Sequence, residues 1–113
     1  MRSKIVTLHA SAAEADDGNS EGFSTIDAKN LGVAIDVTAV SGTDPTIAFS
    51  IEWSPDGVRF GDAETPDTFA SITATKVTAK PIVVKAPYYR LAWVITGTAT
   101  PTFTFVATAA AHL

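Results

Sequence analysis

The chain has no cysteine and a single methionine in 113 residues. Without Cys there is no disulfide framework, no thiolate nucleophile and no Cys-based zinc site, so folding rests on packing and backbone hydrogen bonding alone. Charge is scarce too: 18% of residues are charged against 46% hydrophobic, and mean hydropathy is slightly positive. The eight Lys and Arg residues are scattered and the net charge is −4. That lacks the concentrated basic stripe a phosphate backbone requires, so no nucleic-acid partner is expected. No window approaches the roughly 20 apolar residues of a membrane span. The apolar stretch after Lys4 is short and contains Thr7 and His9, too little for a secretion signal, so synthesis in the cytoplasm without export is expected.

Helical periodicity is also missing, and what stands in its place is alternation. Val33, Ile35, Val37 and Ala39 interleave with smaller or polar residues, as do Ile47, Phe49, Ile51 and Trp53, and later Tyr89, Leu91, Trp93 and Ile95. This period-2 pattern is that of half-buried strands. The last run is apolar on nearly both faces, which reads as a central strand. One phrase occurs twice: Gly42-Thr43-Asp44-Pro45-Thr46-Ile47-Ala48-Phe49 returns, with an insertion, as Gly97-Thr98-Ala99-Thr100-Pro101-Thr102-Phe103-Thr104-Phe105. Gly tolerates positive φ and Pro removes a donor, so each copy reads as a chain reversal between strands. Ser54-Pro55-Asp56-Gly57 reads as a further tight turn.

Around these runs the pattern weakens. Residues 3–10 read as a short strand or arm, and residues 11–22 as a polar, acidic loop. Residues 23–28 read as a short strand anchored by Phe23 and Ile26, and residues 61–67 as a second acidic loop. Residues 68–75 and 82–86 are strand-like, separated by residues 76–81, and Pro87 marks a strand start or edge. The expected organisation is an arm with its acidic loop (1–22), a β domain (23–109) and a short tail (110–113). About seven or eight short strands predict an all-β, two-sheet antiparallel β-sandwich, jelly-roll or immunoglobulin-like, with a small barrel as the alternative. Ile47, Phe49, Ile51, Trp53, Leu91, Trp93, Phe103 and Phe105 form the expected core.

Candidate chemistry is thin. His9 and His112 lie near the termini, with no Gly-x-Ser-x-Gly elbow and no nearby Ser and Asp partners, so both read as surface or arm residues. Asp36 and Glu52 are the best pair for glycoside hydrolysis but read as solvent-facing charges on the outer face of a sheet. The loop 14–21 is rich in oxygens yet departs from the EF-hand ligand pattern, so no metal and no cofactor are expected. Ser54-Pro55-Asp56-Gly57-Val58-Arg59-Phe60 is loosely like a sialidase Asp-box, but it occurs once where propellers repeat it. No enzyme is expected. Tyr89 and Trp93 share a face and read as core; Tyr88 and Arg90 share the other and are the better contact candidates for a sugar or protein. A surface so poor in charge is expected to be covered by another subunit or partner, the alternative being a well-packed monomer with an Ala/Thr-rich exterior.

Taken in order, residues 37–46, Ile51-Glu52-Trp53-Ser54-Pro55-Asp56-Gly57, residues 69–73, Tyr89-Arg90-Leu91-Ala92-Trp93 and the second Gly-Thr phrase through Phe105 resemble a family of small tailed-bacteriophage virion proteins, the minor capsid or head decoration type. The resemblance spans residues 31–108. It implies a virion component on the head surface, a decoration (cement) protein that stabilises the capsid. It further implies the major capsid protein and copies of itself as partners, with a trimer favoured and no membrane. Contacts are then expected from the arm and its loop (Asp16, Asp17, Asn19), from the loop 61–67 (Glu64, Asp67), and from Tyr88 and Arg90. The alternatives are a tail or head–tail connection protein and a carbohydrate-binding or adhesion module on the same fold.

Overall fold

The computed structural model describes residues 3–25 and 28–112. The expected anchor Ile26, the first two residues of the arm and Leu113 of the tail lie outside them. Among the described residues seven strands form one antiparallel sheet: β1 (Ser3–Glu14), β2 (Gly18–Asn19), β3 (Phe23–Ser24), β4 (Asn30–Ser54), β5 (Asp67–Thr68), β6 (Lys76–Val83) and β7 (Tyr88–His112).

The sheet is organised by β4 and β7, each 25 residues long, which pair from Asn30↔His112 to Ser54↔Tyr88. A straight strand of that length would span about 80 Å, yet the longest dimension of the molecule is 43 Å. The ribbon is therefore bent. The bend lies where the two copies of the repeated phrase meet, Ser41 opposite Thr102 and Thr43 opposite Thr98, with register shifts on both sides. Positive φ is concentrated there, at Gly42 (104°), Asp44 (48°), Gly97 (136°), Ala99 (56°) and Thr100 (52°). The expected chain reversals are thus corrected. Each kink faces the other, so both strands turn together and their pairing continues through the corner.

Bending brings the two inner faces into contact. Phe105, in the half built from residues 30–40 and 102–112, meets Phe49 and Trp93 of the other half edge-on, with ring centroids 5.0 and 5.2 Å apart. The expected all-β antiparallel architecture holds, but hydrogen bonding joins every strand into one sheet folded on itself rather than two separate ones. The reason is that both layers are made from the same two strands. All eight expected core residues are buried, and β7 is internal, between β1 and β4.

A broken strand borders each side of the ribbon. Along β7 run β1, then β2 opposite Trp93 and Ala92, then β3 opposite Tyr89 and Tyr88. Along β4 run Gly61 opposite Trp53, β5 opposite Ile51 and Ser50, Ile72 opposite Ile47, and then β6 opposite residues 30–37. Residues 3–14 thus lie docked as an edge strand. Residues 76–81, expected as a separator, belong to β6, and Pro81 fits because an edge strand leaves one side unpaired. The Asp-Gly turn becomes a longer loop closed by Trp53 and Gly61, with Gly57 at φ 78°.

Candidate contact surface

Alternation gives each half of the sheet an outer face, and the two differ. In the half built from residues 46–54 and 88–96, Glu52 and Arg90 sit directly opposite each other on β4 and β7. Arg90 Nε donates to Glu52 Oε1 at 2.6 Å and Arg90 Nη1 donates to Asn19 Oδ1 at 3.3 Å. The guanidinium lies 4.5 Å from the Phe60 ring centroid, a cation–π distance, and that ring rests against Gly22. Phe60 therefore reaches from the loop beyond β4 across to the segment beyond β7. The end of this outer face nearest the loop 54–61 is thus polar and covered by Phe60, while Val94, nearer the bend, is left half exposed.

The residues expected to make contacts divide between the two flanks. Beside β7, Asp17 Oδ1 accepts the Ile95 N–H at 2.8 Å and the Asp16 carbonyl accepts the Trp93 indole N–H at 3.1 Å. Asn19 is brought to Arg90, as above. Beside β4, Asp67 accepts the Trp53 indole N–H and the Lys85 ammonium, each at 2.8 Å. Glu64 is exposed in the preceding loop, and Tyr88 is half-buried with its ring beside Gly57. Asp17, Asn19, Asp67 and Arg90 thus already have partners within the chain.

The candidates for chemistry are equally dispersed. Asp36 and Glu52 stand on opposite sides of the bend, and Glu52 is ion-paired. In the loop 54–61, Asp56 Oδ1 accepts from Val58 N, Arg59 N and the Ser54 hydroxyl at 2.9–3.0 Å. The Arg59 and Val58 amides, then the Ser54 hydroxyl, lower its pKa to about 2. Burial pushes Tyr89 up to about 12. Among the described residues no cluster of three or more His, Asp or Glu side chains is placed to hold a metal ion. No helix among them is long and apolar enough to cross a membrane.

His9, expected as a surface or arm residue, lies in the arm strand β1 but has its ring packed inside. Its ring stacks on Phe105 at 3.9 Å and meets Trp93 edge-on at 5.2 Å. Nδ1 lies 3.0 Å from the Phe105 carbonyl and Nε2 2.8 Å from Glu14 Oε2. The cause is a register shift between Thr7 and His9, which turns two successive side chains, Leu8 and His9, inward. Period-2 reading cannot anticipate a bulge.

The outer face of the other half is bare. Ile5, Ala110, Gly32 and Pro81 form one row across β1, β7, β4 and β6, and Thr7, Thr108, Ala34 and Ala79 form the next. Val106, Asp36 and Val77 follow, so these rows carry one carboxylate and no Lys or Arg. Ile5, Val77 and Val83 are 76%, 66% and 63% exposed, which no neighbouring side chain relieves. Between β4 and β6 lies a shallow groove of about 340 Å³, lined by Gly32, Val33, Ala34, Ala79, Lys80 and Pro81.

No family model matches the chain, and no curated protein matches it in sequence. Solved structures share its fold. It is similar to the PBSX exported protein XepA (TM-score 0.67, 16% identity), over 96% of this chain and 37% of that one. It is similar to the SPBc2 prophage-derived protein YomS (TM-score 0.52, 12% identity), over 97% of this chain and 94% of that one. A chain of the infectious bursal disease virus Gx strain also superposes (TM-score 0.61, 11% identity), over 96% of this chain and 31% of that one. The chain thus spans about a third of the first and third, and nearly all of the second.

Proposed function

We propose that this chain is a non-enzymatic structural protein of a tailed-bacteriophage virion that decorates the outer head surface and stabilises it. The observation that carries the reading is the fold: nearly the whole chain superposes on the PBSX exported protein XepA and, as a unit of the same size, on the SPBc2 prophage-derived protein YomS. The bare half-sheet supports it, because an exposed apolar face of this extent marks an interaction surface. The partners are the major capsid protein and further copies of the chain, which a trimer at a symmetry axis would accommodate. Capsid contacts are assigned to Asp16, Asp17 and Asn19 on one flank, Glu64 and Asp67 on the other, and Tyr88 with Arg90 between them.

Deleting the N-terminal segment is not a clean test, because β1 pairs along β7. The clean test incubates purified chain with expanded heads that lack it, followed by sedimentation and counting of bound copies. Saturation at a copy number comparable to that of the shell subunit is the expected result. Failure to bind heads, or binding at the level of a single ring, would overturn the decoration reading; the ring result would move the protein to the tail or the head–tail connection. Glu64→Lys should weaken head binding while leaving the fold unchanged, since that side chain is exposed.

A further inference from the structure

We infer that the bare outer face of the half-sheet built from β1, β6 and the paired ends of β4 and β7 is the docking site for a second copy of this chain, in a twofold contact. The inference stands on the face itself and goes beyond the virion reading.

Gly32 supplies the first observation. A Cβ there would meet one atom, His112 Nε2, at 3.6 Å, which is ordinary contact, and its backbone is not in the left-handed region. The chain's own fold thus has no need of glycine at a position where glycine weakens a strand. A missing side chain in a strand that is not needed inside marks close approach from outside. What it creates is the groove between β4 and β6.

The second observation is the knob that matches this groove. Ile5 is 76% exposed and stands in the same row as Gly32 and Pro81, at the opposite edge of the same face. A twofold axis parallel to the strands, between β7 and β4, carries each Ile5 over the other copy's Gly32–Pro81 groove. Knob and groove then meet twice, which makes the face self-complementary.

Area and charge agree. Four strands at ~4.8 Å spacing and about eight residues at ~3.3 Å rise cover roughly 500 Å² per copy. A pair would bury roughly 1,000 Å², the lower bound for a specific interface. Asp36 is the one carboxylate in the three rows, and it lies at their end nearest the bend, away from the groove. Stacking buries no carboxylate at the centre, and Lys80, which lines the groove, has its ammonium bound by the Thr68 carbonyl at 2.6 Å. This contact is distinct from a threefold ring, and the two together would give a hexamer.

Light scattering on the full chain over a concentration series tests it. Mass equal to two or six copies is expected. Gly32→Val fills the groove and Ile5→Lys charges the knob; each should weaken the twofold association roughly a hundredfold. The mass should fall to one or three copies while the circular dichroism spectrum and the Tm of Gly32→Val are kept or raised. If Gly32→Val fails to fold, Ala79→Glu, at an exposed position beside the groove, reads the same contact. A wild-type chain that stays at one or three copies would overturn the inference, as would an assembly whose mass these variants leave unchanged. Should wild type be monomeric while Gly32→Val blocks head binding, the face serves the capsid, so the twofold contact fails and the virion reading survives.

Discussion

Trp53 donates its indole N–H to Asp67 Oδ2 at 2.8 Å, and the same carboxylate receives the Lys85 ammonium, which lies 5.6 Å from the Trp53 ring centroid. Trp53 also exchanges backbone hydrogen bonds with Gly61. One core tryptophan therefore holds both ends of the loop 61–67 against β4. Asp67→Ala leaves a buried indole without its acceptor and should cost about 2 kcal/mol. Urea unfolding followed by Trp fluorescence measures it; a change within error would show that the loop is held elsewhere.

Phe105 is fully buried where the two halves meet, touching His9, Phe49 and Trp93. Phe105→Ala opens a cavity shared by both layers and should cost about 3–5 kcal/mol. Phe105→Leu should cost clearly less. Equal losses would mean that ring stacking, not volume, dominates at this site.

The corner can be probed through glycines. At Gly42, φ is 104° and a Cβ would lie 2.6 Å from Pro101 Cα; at Gly97, φ is 136° and a Cβ would lie 3.0 Å from the Asp44 carbonyl. Alanine at either position should destabilise by about 1–3 kcal/mol. Gly61, with nothing within 4 Å of a Cβ, is the control, and Gly61→Ala should be nearly neutral. Thermal unfolding of the three variants ranks them, and a tolerant Gly42 would count against a rigid corner.

Acid should loosen the loop 54–61 late. Asp56 is held near pKa 2, below its ordinary 3.8, because its carboxylate accepts the Arg59 and Val58 amides and the Ser54 hydroxyl. A lowered folded-state pKa means that the stabilisation is complete above the ordinary value and is lost as pH falls through about 2. The Val58 and Arg59 amide resonances should titrate together with that midpoint. Titration near 4 would show that the hydrogen bonds are not kept in solution.

The strands of the ribbon were legible in the sequence because alternation is local: residues 31–37, 47–53, 89–95 and 103–107 announce their buried faces residue by residue. The repeated Gly-Thr phrase was legible as punctuation but not as a corner. Gly and Pro mark any departure from extended backbone, and only the pairing of one kink with the other makes it a bend. The edge segments are less legible, since β2, β3 and β5 are two residues each and are held by neighbours rather than by their own pattern. Of the candidate contact residues, Tyr88 and Arg90 were placed on their face by parity alone. That Arg90 meets Asn19, 71 residues away, was set by β2 docking beside β7. The sequence by itself determined an all-β chain with a defined core and little surface charge. Tertiary structure alone decided which outer face receives the Phe60 ring and which is left bare, because that depends on where a continuous sheet folds back on itself.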